Sequence, residues 1–109
     1  MDEIDTDELK AKIDRGDIFK LVMTMGDWAF AQKHIPGSIN VSSPDDAADR
    51  LMPDDEIVVY CTGGSCVASS AAFRALKDRG YSNLRHYPGG LEAWEDAGHP
   101  VEGRLAPAD

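Results

Sequence analysis

The sequence predicts a small α/β domain, a mostly parallel central sheet flanked by helices on both faces. Three observations lead there. Short apolar runs alternate along the chain with segments of helical spacing, the order that a parallel sheet and its crossover helices require. Ile57-Val58-Val59-Tyr60 is apolar without interruption and largely β-branched, as a strand covered on both faces should be. The third is size: 109 residues suffice for one domain but not for an eight-stranded α/β barrel, which needs roughly 250. With 42% hydrophobic residues and ten glycines, the composition is that of a chain with one core and excludes a disordered one. All of 1–109 is expected to form a single domain, with a core over about 5–101 and a loose tail over 102–109.

The elements follow in order. Asp5-Thr6-Asp7-Glu8 resembles a capping box, Leu9 and Ile13 share a helical face, and Gly16 ends the helix. Phe19 to Met23 reads as a buried strand, and Asp27 to Lys33 as a short helix carrying Trp28 and Phe30. Ile35-Pro36-Gly37-Ser38 is a turn and Ile39-Asn40-Val41 a brief strand. Pro44 to Leu51 reads as a helix with proline at a tolerated first-turn position. Glu56 to Tyr60 is the clearest strand. Ser69 to Arg79 reads as a helix stopped by Gly80, Leu84 to Tyr87 as a strand, and Leu91 to Ala97 as a final helix. Trp28 and Trp94 are expected to anchor the core, and Asp45-Asp46 and Asp54-Asp55 to sit in solvated turns.

Charge narrows the function. Eleven basic against twenty acidic residues give −9, a surface that should repel nucleic acid and anionic membrane. Fourteen of the acids are Asp; plain solubility is the first reading of this excess, and a high-salt habitat the alternative. No run approaches the 18 or so apolar residues of a membrane span, and Met1-Asp2-Glu3 lacks the basic and apolar regions of a signal peptide. A cytoplasmic location is expected. Structural disulfides are rare there, so Cys61 and Cys66 call for chemistry or packing as their explanation.

The strongest chemical signal is Cys61-Thr62-Gly63-Gly64-Ser65-Cys66. Cys61 falls at the carboxyl end of the best strand, the edge where open α/β sheets bind ligands. Small residues let the connection curl so that backbone N–H groups face one point, and the helix that follows adds its positive end. Both effects favour a thiolate and the anion it attacks. The bland alternative is a small buried core residue, since free cysteine is among the most buried types. Cys66 is open between a resolving thiol for Cys61 and the first apolar residue of the helix. The nucleotide motifs GxGxxG and GxxxxGK[ST] are absent, Val67 stands where a nucleophile elbow needs its closing glycine, and His34, His86 and His99 are too scattered for a zinc pattern. No metal and no cofactor are expected.

Several ordered motifs then resemble the single-domain rhodaneses, a sulfurtransferase family. His34-Ile35-Pro36-Gly37-Ser38-Ile39-Asn40 resembles the family's HIPGA-I-N turn, and Ile57-Val58-Val59-Tyr60-Cys61 its strand ending in the catalytic cysteine. Gly80-Tyr81-Ser82-Asn83-Leu84 is similar to G-Y-x-N-V. Gly89-Gly90-Leu91-Glu92-Ala93-Trp94 with Ala97-Gly98-His99-Pro100-Val101 resembles the GG-xxx-W-xxAG-x-P-V ending. The resemblance runs from Asp5 to Val101. It implies Cys61 as a nucleophile that carries a sulfane sulfur as a persulfide, with Thr62, Gly63, Gly64, Ser65 and Cys66 as the substrate-binding loop. It implies a small sulfur donor and a thiol or cyanide acceptor, with a sulfur-relay protein as a further partner, and His34 as a structural residue.

Three departures qualify the expectation. Met23-Thr24-Met25 stands where the family's D-x-R closes the first core strand. The stretch Thr62 to Ala68 has no basic residue, and the loop is about two residues longer than the common form. A persulfide or polysulfide donor therefore suits the loop better than dianionic thiosulfate. The phosphatases built on this fold need an arginine in the loop, and none occurs between Cys61 and Arg74. Two other functions remain as alternatives, a non-catalytic protein-binding module and a Cys61/Cys66 redox sensor. With both sulfurs in one loop, Cys66 could attack a Cys61 persulfide, expel sulfide and leave a disulfide.

Overall fold

The computed structural model describes residues 2–63 and 67–104. Nine elements alternate as α1 (Thr6–Asp14), β1 (Lys20–Met23), α2 (Asp27–Gln32), β2 (Ile39–Asn40), α3 (Pro44–Arg50), β3 (Ile57–Tyr60), α4 (Ala68–Asp78), β4 (Leu84–Tyr87) and α5 (Gly90–Asp96). The strands form one sheet in the order β2-β1-β3-β4, and every pairing is parallel. The expected α/β architecture is therefore present.

Alternation along the strands splits the core into two layers. Leu21, Met23, Val58, Tyr60 and Tyr87 face one way and pack with Leu9, Leu91 and Trp94. Val22, Ile57, Val59 and Leu84 face the other way and pack with Ala47, Phe73 and Leu76. Successive side chains of a strand point to opposite faces, so β3 must be apolar throughout, and all four of its residues are 0% exposed. Asp5 caps α1 by accepting from the Glu8 N–H at 2.8 Å. Ser43 does the same for α3 through the Asp46 N–H at 3.1 Å, with Pro44 in the first turn. Each of these caps is worth about 1 kcal/mol.

Three expectations are corrected. Trp28 is 76% exposed and anchors nothing in the core, whereas Trp94 is 1% exposed and donates its indole N–H to the Pro100 carbonyl at 2.7 Å. On α2 the inward position goes to Phe30, which packs against the core; a helix this short has one inward stripe, and Trp28 falls off it. Asp45 and Asp46 lie not in a turn but in the first turn of α3, where carboxylates suit the helix dipole. The C-terminal segment is docked through Arg104: Glu102 exchanges two backbone hydrogen bonds with His34, and the Arg104 N–H reaches the Ala31 carbonyl.

Tyr60 joins the sheet to the turn before β2. Its hydroxyl accepts from the Ile35 N–H at 3.0 Å and lies 2.8 Å from Ser38 Oγ, which in turn reaches the Ile35 carbonyl at 2.6 Å. Burial pushes the phenol up to about 12, the hydrogen bonds from Ser38 and Ile35 opposing it. A raised folded-state value means that stability is intact below the free phenol's value of about 10 and is lost as pH climbs from there toward 12. Burial raises Tyr87 as well, with the same sign. Thermal melts from pH 8 to 11.5 should therefore fall steeply above about pH 10. Tyr60→Phe should flatten that fall while costing about 1–3 kcal/mol at neutral pH, because it orphans the buried Ile35 N–H.

Candidate active site

The site lies where the chain reverses its progress across the sheet. From β1 the chain first moves outward to β2, then returns to β3 and β4 on the other side. The connections leaving β1 and β3 therefore diverge and open a crevice at their carboxyl ends. Cys61 is the first residue beyond β3, and Thr24 and Met25 are the first beyond β1. Thr24 extends the pairing by donating its N–H and its hydroxyl to the Tyr60 carbonyl, at 3.1 and 3.2 Å.

Cys61 is held from below by α5. The Leu91 N–H donates to the Cys61 carbonyl at 2.9 Å and the Glu92 N–H to the Thr62 carbonyl at 2.8 Å. These are N–H groups of a helix's first turn, which have no partner within the helix. The close approach depends on Gly90, which sits at φ +61; a Cβ there would lie 2.5 Å from the Cys61 carbonyl oxygen and 3.0 Å from the Gly63 nitrogen. Gly63 is less constrained, because the atom 2.6 Å from the position its Cβ would take is Glu92 Oε2, the end of a flexible side chain that can move aside.

Among the described residues, the side chains beside the Cys61 sulfur are uncharged. Cys61 Sγ lies 3.3 Å from Met25 Sδ and 3.9 Å from Thr62 Oγ1. Met25 thus brings a soft, polarisable thioether to the cysteine sulfur. Cys61 is 1% exposed. One groove, of about 460 Å³, opens beside Thr62 between α2 and α5 and is lined by Trp28, Leu91 and Glu92 among others. A second, apolar and of about 360 Å³, lies between Thr24, Ser42, Ser43 and the Ala68–Ala72 turn of α4.

The beginning of α4 is pinned to the sheet by a buried pair. Ser69 Oγ lies 2.7 Å from His86 Nε2, while His86 Nδ1 is buried without a hydrogen-bond partner. Burial holds the imidazole below its ordinary value, Glu3 acting weakly against this. His34 serves the backbone: its Nδ1 lies 2.8 Å from the Phe30 carbonyl and its ring stacks on Phe30. Asn40 Nδ2 donates to Asp27 at 2.6 Å, tying β2 to the start of α2.

Of the residues singled out from sequence, Cys61, Thr62 and Gly63 come together at this crevice. Gly64, Ser65 and Cys66 lie outside the described residues. Arg74 is carried away on α4 and exposed. Met25, Gly90, Glu92, Ser69 and His86 were not candidates by sequence. Met25 and Gly90 had signals there, the first as an unusual ending to β1 and the second within the double glycine before α5. Glu92 and the Ser69–His86 pair had none. Among the described residues no group of three His, Cys, Asp or Glu side chains could hold a metal, and no helix is long and apolar enough to cross a membrane.

The fold recurs in known proteins. The family model for the rhodanese-like domain matches residues 5–97, and the chain belongs to that family. Among solved structures, the BH2092 protein from Bacillus halodurans superposes with a TM-score of 0.89 at 27% identity, covering 99% of this chain and 82% of the other. The rhodanese-like domain of Alr3790 from Anabaena sp. gives 0.84 at 26% identity, covering 100% and 88%. The adenylyltransferase and sulfurtransferase UBA4 of Candida albicans is 36% identical over 77 residues, 62% of this chain but 17% of that protein. The similarity thus spans a small part of that curated relative.

The clamp is open to a direct check. Gly90→Ala combines a left-handed backbone with a collision against the Cys61 carbonyl, whereas Gly98→Ala, at φ +82, meets only open space. Denaturant melts should show Gly98→Ala costing about 1 kcal/mol and Gly90→Ala at least about 2 kcal/mol more. Equal costs would mean that the approach of α5 to Cys61 is not tight.

Proposed function

We propose that this chain is a sulfurtransferase that carries a sulfane sulfur on Cys61 as a persulfide. The observation that supports it most is the placement of Cys61, at the carboxyl end of the central strand, with Met25 Sδ on its sulfur and the first turn of α5 on its carbonyl. In the first half-reaction the Cys61 thiolate attacks the sulfane sulfur of the donor. The donor's S–S bond breaks and its electron pair leaves on a thiolate, or on sulfite when the donor is thiosulfate. In the second, an acceptor thiolate attacks the outer sulfur, the bond to Cys61 Sγ breaks, and Sγ regains its electron pair as a thiolate. No oxidant or cofactor enters either step.

The backbone N–H groups of the loop and the start of α4 are the means by which such a site favours a thiolate over a thiol at neutral pH. The uncharged Met25 and Thr62 beside Cys61, together with the lack of a basic residue from Thr62 to Ala68, favour a persulfide or polysulfide over thiosulfate as donor. Cys66 completes the loop as a resolving thiol. Its thiolate attacks Sγ of the Cys61 persulfide, hydrosulfide leaves, and a Cys61–Cys66 disulfide forms.

Intact mass after incubation with thiosulfate, and separately with a low-molecular-weight persulfide, tests the reading. The protein should gain one sulfur atom, more completely from the persulfide, and Cys61→Ala should gain none. No gain from either donor, with the thiols reduced, would move the assignment to a protein-binding module, a reading favoured by the near-complete burial of Cys61. Sulfide release should stop in Cys66→Ser while the added sulfur persists; release at the parental rate would remove Cys66 from the reaction.

A further inference from the structure

We propose that Met25 is the residue that sets which sulfur donors Cys61 accepts. Its thioether, held on the reacting sulfur, admits a donor that brings one negative charge or none and disfavours a dianion. The proposal rests on the reading of Cys61 as a sulfur carrier and assigns the donor selectivity of that site to one side chain.

Met25 reaches the sulfur from a different element than the one that bears it. Cys61 is the first residue beyond β3, and Met25 the second beyond β1. The Thr24 N–H and hydroxyl both donate to the Tyr60 carbonyl, at 3.1 and 3.2 Å. Those bonds join the residue before Met25 to the residue before Cys61 and so hold the two positions together. The Met25 side chain is half-buried and packs against the core layer that contains Met23 and Tyr60. Its Sδ ends 3.3 Å from Cys61 Sγ, nearer than the Thr62 hydroxyl at 3.9 Å. The nearest carboxylate along the chain, Asp27, is engaged elsewhere, accepting from Asn40 Nδ2 at 2.6 Å.

The contact puts Met25 beside the transferred sulfur as well as beside the cysteine. A sulfane sulfur bonded to Sγ lies about 2.05 Å from it, and therefore within about 5.4 Å of Met25 Sδ whatever direction it takes. At that range a unit charge on residue 25 would change the energy of an anion at the sulfur. Methionine supplies none. Its polarisable surface suits sulfur, but it has neither a charge nor a hydrogen to offer the oxygens of a thiosulfate. The cost of taking an anion out of water grows with the square of its charge, so an uncompensated dianion is opposed most. An alkyl persulfide or a polysulfide chain with a protonated end avoids that cost. In the transfer itself the Cys61 thiolate attacks the sulfane sulfur, and the electron pair of the broken S–S bond leaves on the donor's thiolate. Met25 forms no bond and moves no proton.

The test is a charge series at position 25 in the reduced Cys66→Ser chain, so that Cys61 is the one thiol followed. Met25→Gln keeps the position uncharged, Met25→Lys makes it cationic and Met25→Glu anionic. Intact mass follows loading of Cys61 from thiosulfate and from the persulfide of 2-mercaptoethanol. The parent should load faster from the persulfide. Met25→Lys should lower that preference about tenfold and Met25→Glu should raise it, while Met25→Gln should change it less than about twofold. Alkylation by iodoacetamide across pH should place the Cys61 midpoint about one pH unit higher in Met25→Glu than in Met25→Gln, and lower in Met25→Lys. The two charged variants act in opposite directions, so either one that folds suffices. Loading from both donors with a preference within about threefold of the parent's in a folded charged variant overturns the assignment to Met25 and leaves the sulfurtransferase reading standing. Coincident midpoints across the series, or a change in Met25→Gln as large as in a charged variant, overturn it as well. Separated midpoints with no sulfur taken up from either donor overturn the sulfurtransferase reading, and the donor assignment with it.

Discussion

The two backbone hydrogen bonds from the first turn of α5 to Cys61 and Thr62 are the contact on which the site depends. A helix begins with N–H groups it cannot satisfy itself, and a chain leaving a strand has carbonyls that have lost their ladder. Here each deficit answers the other. The exchange brings two backbones closer than any side chain would allow, so Gly90 is required both for its space and for its left-handed conformation. It also fixes the direction in which the loop after Cys61 departs from the sheet.

The rest of the fold holds that contact in place. β3 is apolar on both faces because helices cover both, and its burial makes the position of its last residue rigid. Tyr60, one residue before Cys61, spends its hydroxyl on the Ile35 N–H and Ser38. The turn leading to β2 is thereby locked to the strand that delivers the cysteine. From the opposite layer, the Ser69–His86 pair fixes the first turn of α4, to which the loop must return. Leaving His86 Nδ1 buried and unpartnered carries a cost of about 1–3 kcal/mol, which the fold tolerates at the foot of its site.

Electrostatics separate this chain from a generic anion-binding loop. Among the described residues, a thioether and a hydroxyl lie beside the Cys61 sulfur, and a carboxylate lies over Gly63. The chain as a whole carries a net charge of −9.

The parallel α/β class, the order of the elements and the place of Cys61 were legible in the chain, because these follow from local rules. An unbroken β-branched run marks a doubly covered strand, and glycines and capping residues mark the ends of helices. The long helices and β4 were legible to within a residue or two for that reason. Trp28 was misread because a six-residue helix shows too little periodicity to tell its inward stripe from its outward one. The tail to Arg104 looked loose because its bonds are made by backbone to residues some seventy positions away. The meetings across the fold emerge only on packing: Met25 with Cys61, Gly90 with the Cys61 carbonyl, Glu92 with Gly63, Ser69 with His86. These pairs are brought together by the packing of α4 and α5 on the sheet, and no short-range pattern in a chain records which side chains a packed interface will place side by side.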